Sequence, residues 1–366
     1  MNNAWKKLYP AILLLLAVIT AGRAQEFNRE KISDGLLERI QDKPSAYHTI
    51  GVLLQEQVDL QAMEEYLQES KATLEERAYL VITSLQQKAS QTQPPLLEEI
   101  RKMPGIAQPS VAPLWITNAI FLDANSEGVA ALSLHPAVAW VSLYQAPELH
   151  DGEAAGEAAP AKLNSTERGL AAIGATQMWG MGYTGYGTRA LIVDSGQDGF
   201  HPALHNQFLY HQRPINQAWP NNQGPYYCGN HGTHVAGTVL GLDRLTGDTI
   251  GVAFDAQWMG GPIDLSNCGE YVGGSPVNSV TVFQWAINPD GDPATIDDMP
   301  HVINNSWGRS DPTLNDCLAP FLGNTIEALY TAGIAVVWSA GNNGPGAQTI
   351  GNPAMTNNSL VRIMSV

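Results

Sequence analysis

The feature that most narrows the fold of this chain is an alternation of element types that begins near Gly187. "TRALIVD" (Thr188 to Asp194) is a nearly unbroken apolar run, the pattern of a strand whose two faces are both covered. A helix of small residues follows His231. A second opens with Ser275 as N-cap and Pro276 at the first helical position and runs to about Ile287. "HVINNSW" (His301 to Trp307) reads as a strand, Pro320 to Thr331 as a helix and "IAVVWSA" (Ile334 to Ala340) as a further strand. Repeated strand–helix alternation predicts an α/β fold with a parallel sheet and helices on both faces.

The chain upstream follows a different pattern. From about Ala46 to Tyr144 it reads strand, helix, strand, helix, strand. The first strand is His48 to Leu54. A buried stripe then follows at helical spacing through Met63, Leu67, Leu74, Ala78, Ile82 and Leu85, which Pro94 and Pro95 stop or punctuate. "PLWITNAIFLDAN" (Pro113 to Asn125) reads as one strand, Asn125 or Ser126 caps a short helix to Leu134, and "VAWVSLY" (Val138 to Tyr144) is the last strand. Between Ala146 and Thr166 the chain is rich in Ala, Gly, Glu and Pro and poor in large apolar side chains, so it reads as a linker open to proteolysis.

Composition sets the compartment and excludes some partners. Lys6 and Lys7, the apolar run Ala11 to Ile19 and the small residues before Ala24 form a signal peptide over residues 1–24. The run is short of the ~20 apolar residues of a spanning helix, and no later stretch could span, so no membrane association is expected once the signal is removed. The destination is the medium or the periplasm. A formal net charge of −16 with no Lys/Arg block argues against nucleic acid and anionic lipid as partners. Three cysteines, Cys228, Cys268 and Cys317, allow one disulfide, with the pairing left open.

The chemistry concentrates in "CGNHGTHVAGTVLG" (Cys228 to Gly241). Its two histidines are open to three readings: metal ligands, a catalytic base, or packing. Zinc needs a third protein ligand of comparable placement, and the stretch lacks the H-E-x-x-H pattern. His234 reads as a buried, hydrogen-bonded histidine. His231 is different because Asp194 ends an apolar strand, at the sheet edge where ligands and catalytic groups collect. An aspartate bonded to one imidazole nitrogen fixes the tautomer and leaves the other nitrogen as a general base. Gly229 and Gly232 would let backbone approach closely. "VVWSAGNNGPG" (Val336 to Gly346) brings an amide side chain to the same edge, where it could donate to an oxyanion.

Taken in order, "LIVDSGQDGFHPAL", "HGTHVAGT", "NNSWG" and "SAGNNG" resemble the subtilisin-like serine peptidases, over about Ala172 to Pro353. The resemblance implies a subtilisin-like α/β domain over residues 167–366, incomplete at its C-terminal end, preceded by a small α/β propeptide over 25–146 and a linker with a processing site over 147–166. It implies Asp194 and His231 as triad members and Asn342 as the oxyanion donor. Ser306, Trp307 and Gly308 would form the segment that pairs with substrate backbone, with Trp307 altering the pocket wall. His234 is not catalytic in the family. The family's serine sits in a Gly-Thr-Ser segment that does not occur here, so a truncated peptidase, inactive by itself, is expected. "GVAFDAQWMGGPIDLSN" (Gly251 to Asn267) departs from the family pattern and places the neighbouring substrate-binding strand in question.

The implied partners are protein or peptide substrates and the chain's own propeptide. No cofactor is required. Calcium is compatible as a structural ion, with Asp290, Asp292, Asp297 and Asp298 as oxygen donors. The competing reading is a noncatalytic pseudopeptidase, or a propeptide-type inhibitor or chaperone.

Overall fold

The computed structural model describes residues 26–144, 148–149, 168–220, 224–263, 279–308, 319–356, 360 and 363–366. The expected signal peptide, the Ser275–Pro276 cap, Cys268, Cys317 and most of the linker lie outside them. The helices are α1 (Asp34–Asp42), α2 (Leu60–Glu69), α3 (Leu74–Ile100), α4 (Ser126–Leu134), α5 (Arg168–Ala172), α6 (Ala175–Gly180), α7 (Ile215–Ala218), α8 (His231–Leu240), α9 (Ser279–Ala286) and α10 (Ala319–Thr331). No helix among the described residues is long and apolar enough to cross a membrane.

The N-terminal part is a four-stranded antiparallel sheet in the order β2-β3-β1-β4, from β1 (His48–Leu54), β2 (Ile106–Leu114), β3 (Ala119–Ala124) and β4 (Val138–Leu143). Asn125 caps α4, its Oδ1 accepting from the amides of Glu127 and Gly128, and the helix stops just before Pro136. The long apolar stripe divides into two helices. Lys71 adopts φ 54°, and Thr73 then starts α3 with a capping box: its Oγ1 accepts from Glu76 N and its own amide donates to the Glu76 carboxylate.

Two expectations are corrected here. The helix runs through Pro94 and Pro95 to Ile100, because Leu96 and Ile100 are buried beyond the prolines and the buried Gln93 donates to Leu114 O and Asn118 Oδ1. Burial outweighs the loss of two backbone donors. "PLWITNAIFLDAN" is not one strand: Leu114 ends β2, Trp115 to Asn118 turn with Asn118 at φ 41°, and β3 begins at Ala119. The strand β2 shares only Pro113 and Leu114 with that predicted stretch, and it carries Pro109 and Pro113. It pairs only with β3, and on a sheet edge a missing amide costs no ladder bond.

The second sheet has the order β13-β12-β10-β6-β9, made of β6 (Arg189–Asp194), β9 (Gln257–Pro262), β10 (Val302–Asn305), β12 (Ala335–Trp338) and β13 (Met364–Ser365). All four pairings are parallel. Between β6 and β9 the chain forms the small antiparallel ribbon β7 (Leu242–Asp243) and β8 (Asp248–Thr249). Both sheet faces are covered. A methyl placed on Gly260 of β9 would collide with Trp219 at the end of α7, while one on the adjacent Gly261 would meet Val282 of α9 on the other face. The unusual Gly-Gly-Pro sequence of β9 therefore forms a full strand, in register with β6 from Arg189↔Gln257 to Asp194↔Pro262.

The two parts share a core. One face of the antiparallel sheet closes over Leu36, Ile40, Leu96, Ile100 and Val129, and the other joins the core of the parallel sheet. Phe321 of α10 faces Phe121, ring centroids 5.4 Å apart, and fills the space above Gly51. Gln284 Oε1 of α9 accepts from the amides of Trp115 and Ile116, and Arg77, paired with Glu64, donates to Thr331 O at the end of α10.

The four aspartates considered as calcium donors do not converge. Asp290 and Asp292 accept from backbone amides of their own loop, Asp297 pairs with Arg213, and Asp298 accepts from Asp290 N. Among the described residues no three His, Cys, Asp or Glu side chains are grouped to hold a metal.

Candidate active site

Asp194 ends β6, the strand at which the sheet order reverses, with β9 on one side and β10 on the other. Crevices form outside the carboxyl ends of the strands at such switch points. The carboxylate is fully buried, and its Oδ1 accepts from Ser195 N at 2.7 Å and from His231 Nδ1 at 2.7 Å. The His231 side chain keeps 20% of its surface exposed. The pair thus has a buried, fixed carboxylate behind an accessible imidazole, with Nδ1 as the donor.

Local sequence explains the approach. His231 opens α8, which lies against β6 through the buried stripe Gly232, Ala236 and Leu240. A methyl at Gly232 would collide with Gly196 O, so only glycine lets the first turn come this close. Ser195 Oγ accepts from Gly232 N at 3.2 Å. Gly229 serves differently: it has open space around it and a φ of +76°. The segment leading to His231 is fastened to the segment after Asp194, with Cys228 N donating to Ser195 O and a bridge between Gly196 and Tyr227. Cys228 is disulfide-bonded, its partner lying outside the described residues.

The other expected residues fall as follows. His234 is exposed on the outer side of α8, which corrects its reading as a buried histidine: two positions from both Gly232 and Ala236 of the buried stripe, it points away from the face that meets β6. Asn342 lies on the exposed turn beyond the end of β12, at the sheet edge that carries Asp194. Ser306 follows β10, and its Oγ accepts from Asn304 Nδ2 at 3.0 Å. Trp307 and Gly308 form β11, and the Trp307 side chain is buried. It is 1% exposed, packed edge-on against Trp338 at 4.8 Å, and its carbonyl accepts from Trp338 Nε1.

The partner of β11 was not foreseen. Glu148 and Leu149 form β5, which pairs antiparallel with β11 in the register Trp307↔Leu149 and Gly308↔Glu148. Two residues of the segment read as an unordered linker thus adopt strand geometry, a consequence of a partner about 160 residues away that composition does not encode. Sequence reading also missed Ser195 as a ligand of both Asp194 and α8. The Ser-Gly pair after a strand-end aspartate was its only signal.

The subtilase family profile matches residues 187–364. Bacillopeptidase F of Bacillus subtilis (strain 168) is 28% identical over 302 residues, covering 75% of this chain and 20% of the relative. A subtilisin of Bacillus pumilus is 31% identical over 194 residues, covering 52% of this chain and 61% of the relative. The crystal structure of fervidolysin from Fervidobacterium pennivorans, a keratinolytic enzyme related to subtilisin, superposes with a TM-score of 0.47 at 21% identity, covering 84% of this chain and 42% of that one. The chain therefore spans less than two thirds of each of these relatives. With its parallel sheet, its strand-end aspartate bonded to the first residue of α8 and this family match, the segment 187–364 is a subtilase-family domain.

Proposed function

We propose that this chain carries the propeptide and the Asp–His portion of a secreted serine endopeptidase. The observation that supports it most is the 2.7 Å hydrogen bond between His231 Nδ1 and the buried Asp194. With Nδ1 donating, Nε2 presents a lone pair to an alcohol. The alcohol oxygen bonds to the substrate carbonyl carbon while its proton passes to Nε2. That proton goes to the leaving amine as the C–N bond breaks, and a water molecule then repeats both transfers to release the acid. Asn342 is the side-chain donor to the oxyanion in this scheme. The β11 backbone holds an extended peptide by main-chain bonds.

The nucleophile is not assigned to a residue of this chain, since no Gly-Thr-Ser segment occurs in it. Residues 25–366 alone are accordingly inactive on a chromogenic peptide. In a protein that includes the serine segment, His231→Ala lowers turnover by on the order of 10⁶, the loss known for the triad of subtilisin. Full activity of that variant would end the proposal.

The pairing of β5 with β11 favours an inhibitory role for the N-terminal part in cis: the chain's own backbone occupies the edge that a substrate strand would use. On this reading the signal is cut after Ala24, residues 25–146 are the propeptide, and processing falls within 147–166. N-terminal sequencing of the secreted active enzyme should find a start in that segment. A start at Gln25 in that active enzyme would refute processing in the linker.

A further inference from the structure

The turn joining β7 to β8 and the loop that leaves Asp194 line a cavity of about 360 Å³ for which the scheme above has no use. Phe200, Pro202, His205 and Asn206 line it from the loop, Arg244 and Leu245 from the turn. Leu242 N donates to Ala203 O at 3.0 Å and holds the two sides together. The cavity lies away from β11. Its loop packs on β9, where Phe208 bridges to Trp258 with the rings 4.2 Å apart, and β9 and β10 flank β6 on opposite sides.

The walls differ in chemistry. Phe200 is 76% exposed and Leu245 92%, and with Pro202 they gather around a hollow, which is where exposed apolar side chains mark a binding surface. Arg244 has no carboxylate partner among the described residues. The adjacent Asp243 does not serve, because its own turn takes both oxygens: Oδ1 accepts from Leu245 N at 2.9 Å and Oδ2 from Thr246 Oγ1 at 2.7 Å. The loop side is fixed as well. His205 Nδ1 donates to Gly199 O at 3.0 Å, since a carbonyl can only accept, and its ring stacks on Phe200. The neutral ring then offers a ligand Nε2, an acceptor for an N–H, and Asn206 offers both a donor and an acceptor.

An unpaired guanidinium, an acceptor for an amide N–H and an apolar wall on either side fit a ligand that carries a carboxylate next to a large apolar group. We propose that the cavity is a docking site for a peptide segment in which an acidic residue adjoins a large apolar one, with the carboxylate on Arg244 and the apolar side chain between Phe200 and Leu245. That the ligand is a peptide rests on the peptidase reading above. In a chain of net charge −16, an unpaired cation on an apolar rim selects acidic segments that the rest of the surface repels. Being separate from the β11 edge, the site adds a second point of attachment for a protein substrate.

The test is a ligand-observed NMR titration of the full chain with three peptides: acetyl-Ala-Asp-Phe-Ala-amide, its Asn-for-Asp analogue and its Ala-for-Phe analogue. In this chain β5 already covers the β11 edge, so the cleft does not compete. The wild type should bind the Asp-Phe peptide roughly fivefold more tightly than the Asn analogue, the scale of one exposed ion pair, and several-fold more tightly than the Ala analogue. High salt should erase the preference for Asp. Arg244→Gln should remove that preference and leave the preference for Phe, whereas Leu245→Ser should weaken the preference for Phe alone. Both side chains are exposed on the turn, so the variants should melt as the wild type does. No binding by the wild type, or an Arg244→Gln variant that still prefers Asp, overturns the proposal. Binding of phenylpropionate without binding of the peptide would assign the cavity to small carboxylic acids and overturn it too. Neither the dyad nor a nucleophile takes part, so Asp194→Asn should bind like the wild type. Failure of the site therefore leaves the peptidase reading standing, and an inactive completed enzyme leaves the site standing.

Discussion

At the scale of single residues, the contact of α8 with β6 turns on which glycines face the sheet. Gly232 meets the Gly196 carbonyl, whereas Gly237, one and a half turns on, has nothing within 4 Å of an added methyl. The same substitution on one helix should therefore act in opposite directions. Gly232→Ala must push the first turn outward and separate His231 from Asp194, costing about 2 kcal/mol or more by the usual scale of overpacking. Gly237→Ala should stabilise by ~0.5–1 kcal/mol, because alanine is the better helix former. Urea unfolding of the two variants checks both signs. Asp194→Asn is a different lesion. Its side chain keeps the burial and the volume but can hold His231 in the wrong tautomer, so the completed enzyme should lose about 10⁴ in turnover with little loss of stability.

At the scale of elements, the loop between α9 and β10 stores a pH dependence. Asp298 is fully buried, and burial first, then the neighbouring Asp290, raise its pKa to about 6 from 3.8. The folded state thus holds a proton that the unfolded chain has released over the window from about 4 to 6, so stability falls as pH rises through it and levels off above. Asp298→Asn should remove that slope and raise the melting temperature at pH 7, by on the order of 1 kcal/mol in stability. Melting curves at pH 4.5 and 7 decide it: an unchanged slope in the variant would refute the assignment. The helix α3 makes a related point, since its prolines read locally as a stop. Gln93 carries it past them by bonding Leu114 at the end of β2 and Asn118 in the turn before β3, and Leu96 and Ile100 by their burial in the core under the antiparallel sheet.

At the scale of the whole molecule, the antiparallel and parallel sheets are joined by a knob and a hole. Phe321 projects from α10 into the space above Gly51, where an added methyl would lie 2.8 Å from the ring. Gly51→Val should undock the N-terminal part, read as faster hydrogen exchange in α10 and β11. Phe321→Ala should cost about 3 kcal/mol by itself. Combined, the two should be milder than the sum of their single effects, because valine fills the space the ring vacates. Strict additivity would show that the two positions do not communicate.

The sequence by itself determined the alternation of elements, and with it a parallel α/β sheet. It also identified Asp194 and His231 as the pair to watch, because strand periodicity and the short glycine-flanked motif are local properties of the chain. It misread His234 as buried and the prolines of α3 as a stop or punctuation, and it passed over most of β2 and the β5–β11 pairing. Each of these depends on what lies opposite in space. Whether a side chain is buried, whether a proline can be tolerated and whether a polar atom finds a partner are decided by residues distant in sequence, and only the packed tertiary structure brings those residues together.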